Sequence, residues 1–315
     1  MRALLVCNPK ATTVSDRVRD VLARALRSET ELEIGYTRRR GHGRALGEKS
    51  RADGTDVVVV LGGDGTVNEV VNGLLARGVG PDTPSLAVVC GGSTNVFARA
   101  LGLPTDWAEG TALILEALRE GRRRTIGLGR ADDRYFTFCA GLGMDAEVIH
   151  RVERARLRGR KSTPLLYFQA MAGNFIFEKE SRAARMRIER PGEESDDEIS
   201  TIVVQNVAPW TYIGERRIDA NPEASFDLGL DVLALKNMTV AGTARTMTQL
   251  LTGRRDKRTQ RPVGPHGRQV VRYHDLSEFT LTATAPCALQ VDGDFLGQTD
   301  KVRFTSVPRA LRVVC

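Results

Sequence analysis

Aromatic residues are scarce in this 315-residue chain, where phenylalanine, tryptophan and tyrosine together make up 5% of the sequence. Recognition of nucleic acid would require basic residues interleaved with aromatic ones that stack on bases. The sequence does not offer that pattern, so we expect no nucleic-acid partner. Long apolar runs are also missing, and none approaches the ~18–20 residues that cross a bilayer. Any contact with a membrane is therefore expected to be peripheral.

Cysteine is sparse, and the spacing of the five residues shows no pairing. They are Cys7, Cys90, Cys139, Cys287 and Cys315. An odd and scattered set is neither a disulfide framework nor a zinc site, and it fits a reducing cytoplasm. The opening MRALLVCNPK has too short an apolar run for a signal peptide and predicts a first strand. We therefore expect a cytoplasmic protein.

Positive charge is in excess, with 46 lysines and arginines against 39 acidic residues and a formal net charge of +7. Such a balance suits an acidic partner, either a nucleotide, an anionic membrane surface or nucleic acid, although a well-solvated basic surface would show it equally. The length exceeds what one hydrophobic core usually serves, so two domains are expected.

The first third of the chain alternates between strand and helix periodicity. Strands are predicted over residues 3–6, 31–36, 57–61 and 86–89, and helices over residues 18–26, 44–52, 67–75 and 96–101. Apolar strands that alternate with helices are typical of a parallel, doubly wound α/β sheet. After about residue 124 we predict strands over 135–139, 185–189, 201–207, 231–235, 278–283 and 288–291, which favour an antiparallel sandwich or barrel. Helices are expected at 161–177 and 239–251, and solvated loops at the charged runs 193–198 and 253–261.

A glycine-rich junction follows the third predicted strand, in VVVVLGGDGTVNEVVNG over residues 57–73. Ligands of an open parallel sheet bind beyond the carboxyl ends of its strands, and a helix N-terminus there attracts phosphate. Asp64 would be repelled by phosphate unless it held Mg²⁺ or accepted a proton. The alternative is a tight turn with an aspartate cap. The junction lacks the lysine of a Walker A loop and the spacing of a G-x-G-x-x-G fingerprint.

A second junction of the same kind lies in VVCGGSTNVFAR, residues 88–99. Here too a buried strand is predicted to end in glycines before a helix, and Ser93, Thr94 or Asn95 could simply cap that helix. Two such loops at adjacent strand ends would face one crevice. Together they favour a nucleotide site over two unrelated turns.

Several motifs in order along nearly the whole chain resemble the diacylglycerol-kinase-type lipid kinases, a family that includes sphingosine, ceramide and bacterial lipid kinases. They are GGDGTVNEVVNG, GGSTNVFARALGLP, Tyr36-Thr37 with Gly41-His42-Gly43, YFTFCAGLGMDAEV (135–148), NPEASFDLGLDV (221–232) and QVDG (290–293). GGDGT alone is shared with NAD kinases and 6-phosphofructokinases. The continuation Asn-Glu-Val-Val-Asn-Gly and the second loop decide for the lipid branch.

The resemblance implies an N-terminal ATP-binding α/β domain of the NAD-kinase and phosphofructokinase type, residues 1–123, to which residues from about 300 to 315 return. A C-terminal antiparallel β-sandwich, residues 124–299, would take the lipid, with the active site in a cleft between the two. The matching motifs and the second loop give the expected ATP contacts as Thr37, Gly62, Gly63, Asp64, Gly65, Thr66, Val67, Asn68, Gly92, Ser93, Thr94 and Asn95.

Three acidic sites follow from the same resemblance. Asp64 is expected to organise phosphate and Mg²⁺, and Asp292-Gly293-Asp294 matches the element that carries the family's base, usually with Glu at the position of Asp294. The shorter Asp294 makes Asp292 the preferred base, while a polar β-turn is the alternative for this element. In the shortened segment 227–231, Asp227 or Asp231 could hold a structural Mg²⁺.

The expected activity is ATP- and Mg²⁺-dependent phosphorylation of a hydroxyl of diacylglycerol or a related lipid at the inner membrane face. Val96 replaces an aspartate that is usual in bacterial diacylglycerol kinases, which leaves a sphingoid or other lipid kinase, or a catalytically silent nucleotide- or lipid-binding regulator, as alternatives. Arginine clusters at 38–40, 122–124, 151–160 and 254–261 could dock on anionic headgroups. A homodimer is possible, although no residue argues for one.

Overall fold

The computed structural model describes residues 1–143, 146 and 185–315, and it divides into two compact units. The first consists of Met1–Leu128 with Pro308–Cys315, and the second of Gly129–Val307. The helix predicted over residues 161–177 and the arginine cluster at 151–160 lie outside the described residues.

The first unit alternates strands and helices as the sequence predicts. Its elements are β1 (Arg2–Cys7), α1 (Asp16–Arg27), β2 (Glu31–Tyr36), α2 (His42–Ala52), β3 (Val57–Gly62), α3 (Asp64–Leu74), β4 (Ser85–Cys90), α4 (Val96–Ala100) and α5 (Trp107–Glu120). The four strands are parallel in the order β4-β3-β1-β2. The predicted parallel α/β sheet is therefore confirmed.

Burial on both faces explains why β3 reads as a continuous apolar run. Every residue of this strand is buried. Val57 and Val59 join a core with the apolar side chains of α1 and α5, while Val58 and Val60, which point to the opposite face, are equally buried. Helices α2 and α3 pack closely against each other, with no room for a side chain at Gly73 beside the carbonyl of Arg44.

The second unit is rich in antiparallel strands. Its elements are β5 (Arg124–Ala131), which begins in the first unit, β6 (Arg134–Phe136), β7 (Cys139–Gly143), β8 (Met186–Glu189), β9 (Asp196–Gln205), β10 (Thr211–Ile213), β11 (Arg216–Ile218), β12 (Leu230–Lys236), α6 (Val240–Thr252), β13 (Arg254–Arg255), β14 (Pro262–Val263), β15 (Val270–Leu276), β16 (Glu278–Val291) and β17 (Asp294–Val313). The main strands run in the order β15-β12-β9-β7-β16-β17, with β8 beside β9 and β16. The pairings between these main strands are antiparallel, which confirms the predicted β-rich fold.

A large hydrophobic core lies among these strands. Phe304 of β17 stacks on Phe279 of β16 with ring centroids 5.1 Å apart, and it meets Phe136 of β6 edge to face at 6.2 Å. Beyond Val307 the long strand β17 belongs to the first unit, where Val313 pairs in parallel with Leu86 of β4.

Several sequence predictions for the second unit are wrong in detail. The strand predicted over 135–139 is broken between β6 and β7. The backbone amide of Thr137 there donates to the carboxylate of Asp292 rather than to a neighbouring strand. The acidic run 193–198 is half strand, since Asp196 already pairs with Ile188 of β8. The strands predicted at 278–283 and 288–291 are one strand with an irregular register. The basic run 253–261 begins with β13, which pairs with β14.

Other elements were not predicted at all. They are α5, β5, β10, β11, β14 and β15. Helix α5 has clear signals, since Asp106 caps its first turn and Gly121 ends it with a left-handed φ of 69°. In the parts of the chain that the structure describes, no helix is long and apolar enough to cross a membrane.

Candidate functional site

The carboxyl ends of the four parallel strands form one edge of the first unit. Cys7 at the end of β1 lies opposite Tyr36 and Leu61, and Gly62 lies opposite Cys90. The next backbone groups continue the alignment, since the amide of Thr37 donates to the Cys7 carbonyl at 2.9 Å. The structure therefore brings Thr37, the loop that opens at Gly62 and the loop that opens at Gly91 to the same edge.

Glycines at this edge allow the two loops to touch backbone to backbone. A Cβ on Gly92 would lie 2.7 Å from the Cα of Gly63, and one on Gly91 would lie 2.8 Å from the Gly62 nitrogen. The amide of Gly91 donates to the Gly62 carbonyl at 2.9 Å. Any larger residue would push the loops apart, so close packing between loops is one physical reason for these glycines.

Asp64 joins the two loops through its carboxylate. It is the first residue of α3 and is half-buried. Its Oδ2 accepts the amide of Val96 at 3.0 Å and its Oδ1 that of Phe97 at 3.1 Å, at the start of α4. The aspartate cap that the sequence left open as an alternative is present, but it serves a helix other than its own.

The second loop has one inward and two outward polar residues. Asn95 adopts a left-handed φ of 50°, its Oδ1 accepts the amide of Gly92 and its Nδ2 donates to the Gly92 carbonyl, both at 2.9 Å. Ser93 is exposed and Thr94 is half-buried. Asn95 therefore shapes the loop, whereas Ser93 and Thr94 are open to a ligand.

Three of the expected ATP contacts lie on the inner side of α3. Val67 and Asn68 are almost completely buried, and Thr66 is nearly so. Thr66 Oγ1 accepts a hydrogen bond from Asn8 Nδ2 at 2.9 Å, and Asn68 accepts from Asn72. These residues support the loop from behind, while Gly63 and Gly65 remain half-buried at its rim.

Glu69 is a supporting residue that the sequence analysis missed. Its Oε1 accepts the amide of Gly41 at 2.7 Å and its Oε2 that of Gly43 at 2.8 Å, so it caps α2 from α3. The signal was that α2 begins in Gly41-His42-Gly43, without the usual Ser, Thr, Asp or Asn cap. A cap had to come from elsewhere in the chain.

Cys7 and Cys90 end two of the strands at this edge. Burial raises the pKa of the Cys7 thiol to about 12 and that of the Cys90 thiol to about 11, with the nearby Asp64 charge adding to the second. Both are therefore thiols rather than thiolates at neutral pH, and neither is suited to act as a nucleophile.

Asp292 lies in the turn between β16 and β17 in the second unit. Asp292 and Gly293 have left-handed φ values of 49° and 82°, as in a two-residue hairpin turn. Asp292 is 4% exposed. Its Oδ2 accepts the amide and hydroxyl of Thr137 at 2.7 and 2.9 Å, and its Oδ1 accepts the amides of Phe138 and Cys139 at 3.0 and 3.1 Å. Asp292 thus holds the break between β6 and β7.

Asp294 occupies a different environment from Asp292. It begins β17 opposite Val291 and is half-buried. The polar turn that the sequence offered as an alternative is present, and the structure separates its two carboxylates into a buried one and a more accessible one.

The two aspartates expected to hold a structural metal differ in their exposure to solvent. Asp231 is fully buried, and its carboxylate meets His274 Nδ1 at 2.8 Å and the amide of Asp275 at 3.0 Å. Hydrogen bonding to Asp231 raises the pKa of His274. Asp227 is exposed. Among the described residues, no three His, Cys, Asp or Glu side chains cluster as metal ligands, and a metal at Asp227 or Asp231 stays a prediction.

Comparison with known proteins gives consistent matches. Residues 2–131 match the family model of the diacylglycerol kinase catalytic domain. A diacylglycerol kinase of Staphylococcus saprophyticus is 26% identical over 305 residues, covering 94% of this chain and 90% of that protein. A diacylglycerol kinase of Staphylococcus aureus is 25% identical over 307 residues, covering 94% and 87%.

Solved structures show the same fold. A diacylglycerol kinase from Bacillus anthracis superposes with a TM-score of 0.70 at 18% identity, covering 99% of this chain and 96% of that one. An NAD kinase from Archaeoglobus fulgidus, solved in complex with ATP, gives a TM-score of 0.50 at 12% identity, with 100% and 94% covered. The fold class expected from the sequence is confirmed.

Proposed function

We propose, because the chain belongs to the diacylglycerol kinase catalytic-domain family and is a lipid kinase, that its phosphoryl donor is ATP with Mg²⁺ and its acceptor a hydroxyl of diacylglycerol or a related lipid. The observation that carries the proposal is the edge where two glycine-rich loops meet and Asp64 links them. The enzyme would work at the inner face of the membrane, in peripheral contact with it.

Phosphate binding would fall to the open part of this edge. Helix α3 begins at Asp64, so the amides of its first turn and its dipole favour an anion beside Gly63 and Gly65. Thr37, Ser93 and Thr94 offer hydroxyls at the same edge. The buried Thr66, Val67 and Asn68 would act indirectly, by keeping the loop in place.

The residues present fit Mg²⁺ as a partner of ATP. In phosphoryl-transfer sites this ion is held by one or two carboxylates together with phosphate oxygens and water, so a cage of three protein ligands is not required. Asp64 supplies one carboxylate at the phosphate edge, and each of its oxygens has two acceptor sites. When bound, the ion would neutralise charge on the transferred phosphoryl group.

Asp294 is our choice for the group that accepts the hydroxyl proton, the reverse of the order expected from sequence. A general base must reach the proton it takes. The carboxylate of Asp292 accepts four hydrogen bonds from residues 137–139, and the side chain is buried. Asp292 would position residues 137–139 and the turn, which leaves Asp294 as the accessible carboxylate.

The test is phosphoryl transfer from γ-labelled ATP to lipids in mixed micelles. The panel holds diacylglycerol, monoacylglycerol, sphingosine, ceramide and a total lipid extract, with Asp64→Asn as the control. Labelled diacylglycerol that disappears in the control would support the proposal. Label on sphingosine or ceramide alone would identify that lipid, rather than diacylglycerol, as the acceptor. ATP binding with no labelled lipid would overturn the proposal in favour of a catalytically silent regulator.

A further inference from the structure

Helix α6 and the hairpin after it, residues 240–263, form a strongly basic surface segment among the described residues of the second unit. This basic segment holds six cationic residues and one acidic residue, a net charge of +5 in a chain whose total is +7. The cations are Arg245, Arg254, Arg255, Lys257, Arg258 and Arg261. Helix α6 itself contains no acidic residue.

One side of α6 anchors the basic segment to the sheet. Leu250 and the partly buried Met247 pack with Ile218 and Leu233 in a small hydrophobic cluster. The outer side carries Arg245 together with large apolar side chains at both ends of the helix. Val240 is 62% exposed and Leu251 is 40% exposed. The outer side therefore combines apolar groups with positive charge and has no carboxylate to offset it.

The hairpin continues this surface. Every residue from 251 to 263 is exposed. Arg254 of β13 pairs directly with Val263 of β14, so a cation and a 39% exposed valine share one face. None of the hairpin cations forms a salt bridge with another described residue.

One set of hydrogen bonds joins α6 to the chain just after the hairpin, and a second set closes the hairpin turn. Gln249 of α6 donates from Nε2 to the His266 carbonyl at 3.1 Å and accepts the His266 amide at 2.8 Å. Asp256, the one acid, accepts the amides of Arg258 and Thr259 at 3.0 and 2.7 Å and so closes the turn. The cations of the helix and the hairpin are all exposed.

We propose that the basic segment docks the enzyme on an anionic lipid bilayer, an inference that rests on the proposed lipid-kinase function. A membrane surface accepts positive charge at its headgroups and apolar side chains between them, and the segment exposes both. Nucleic acid would use stacking side chains, and residues 240–263 contain no aromatic residue. The bilayer also holds the proposed substrate, so docking brings the enzyme to it.

Co-sedimentation with vesicles tests the docking surface without relying on catalysis. The variant replaces Lys257, Arg258 and Arg261 with glutamine, because the side chains of these three residues form no hydrogen bond or salt bridge within the described part of the chain. On vesicles of phosphatidylcholine with phosphatidylglycerol we expect this variant to bind about a hundredfold more weakly than wild type. Each of the three charges removed is expected to contribute about fivefold to the affinity. A matched variant replaces the exposed Arg17, Arg24 and Arg27 of α1 with glutamine and should bind within about twofold of wild type.

Three results would overturn the docking proposal. They are equal binding of wild type to vesicles of phosphatidylcholine alone, unchanged binding of the hairpin variant, and tighter binding of wild type to a DNA duplex than to anionic vesicles. Failure of the lipid-kinase proposal looks different, because no variant would then label any lipid while vesicle binding still followed the hairpin charges. If both proposals hold, the hairpin variant keeps wild-type activity on a short-chain diacylglycerol dispersed in neutral micelles.

Discussion

Asp64 in the first unit and Asp292 in the second are carboxylates that anchor distant backbone segments but differ in exposure. Each carboxylate holds amides from a segment far away in the chain, the start of α4 for Asp64 and residues 137–139 for Asp292. Asp64 accepts two amides and is half-buried, whereas Asp292 accepts four donors and is nearly inaccessible. An acid within a glycine-rich motif can therefore line a site or only hold its framework, and the exposure of its side chain helps to distinguish the two roles.

The largest effect is expected when Asp64 loses its charge. Asp64→Asn should lower phosphoryl transfer by about a thousandfold, because the carboxylate that organises phosphate and Mg²⁺ is gone. The assay is the rate of labelled lipid formation at saturating ATP.

The matched control for Asp64 is Asp106→Asn. Asp106 likewise accepts two backbone amides at a helix start, those of Ala108 and Glu109 in α5, but it is not at the phosphate edge. This variant should keep its activity and lose less than about 1 kcal/mol in free energy of unfolding. Equal activity in the two variants would show that Asp64 is an anchor and nothing more.

Asp292→Asn should have the largest effect on stability. The asparagine nitrogen would face donors that now meet an oxygen, so we expect the free energy of unfolding to fall by about 3 kcal/mol. Urea unfolding followed by circular dichroism measures this. Asp294→Asn should stay within about 0.5 kcal/mol of wild type, since Asp294 is the more accessible of the two. Equal losses in both variants would remove the distinction between them.

A smaller change tests the contact between the loops. Gly92→Ala places a methyl group against Gly63 and should cost about 2 kcal/mol in free energy of unfolding and raise KM for ATP. Gly110→Ala, inside α5, meets nothing closer than the Pro104 carbonyl at 3.7 Å and should stabilise by about 0.5–1 kcal/mol. Thermal unfolding of both variants gives the comparison, and a Gly92→Ala protein as stable as wild type would contradict the packing described here.

The first unit could be predicted closely because its signals are local. A strand such as β3 is apolar throughout since both faces are buried, and β2 was predicted with its exact bounds. Helix α5 was missed although Asp106 and Gly121 mark its ends. In the second unit, whether a segment forms a strand depends on the strands that pair with it. Asp196 lies in β9 despite its charge, because it pairs with Ile188 of β8.

The site was predictable in its composition but not in its internal bonds. The glycines and Asp64 stand out because they interrupt an apolar strand–helix pattern. The amides that Asp64 accepts lie 32 and 33 residues later, and those that Asp292 accepts lie more than 150 residues earlier. Contacts between residues so far apart in the chain produce no periodic pattern in the sequence. The preference for Asp294 over Asp292 as the general base depends on these contacts.

The most direct measurement is labelled phosphoryl transfer to a short-chain diacylglycerol by Asp292→Asn and Asp294→Asn, each normalised to its folded fraction. If Asp294 takes the hydroxyl proton, Asp294→Asn should lose about 10²–10⁴-fold in rate, while folded Asp292→Asn stays within about tenfold of wild type. A folded Asp292→Asn protein that loses more activity than Asp294→Asn would contradict the assignment and return the base to Asp292.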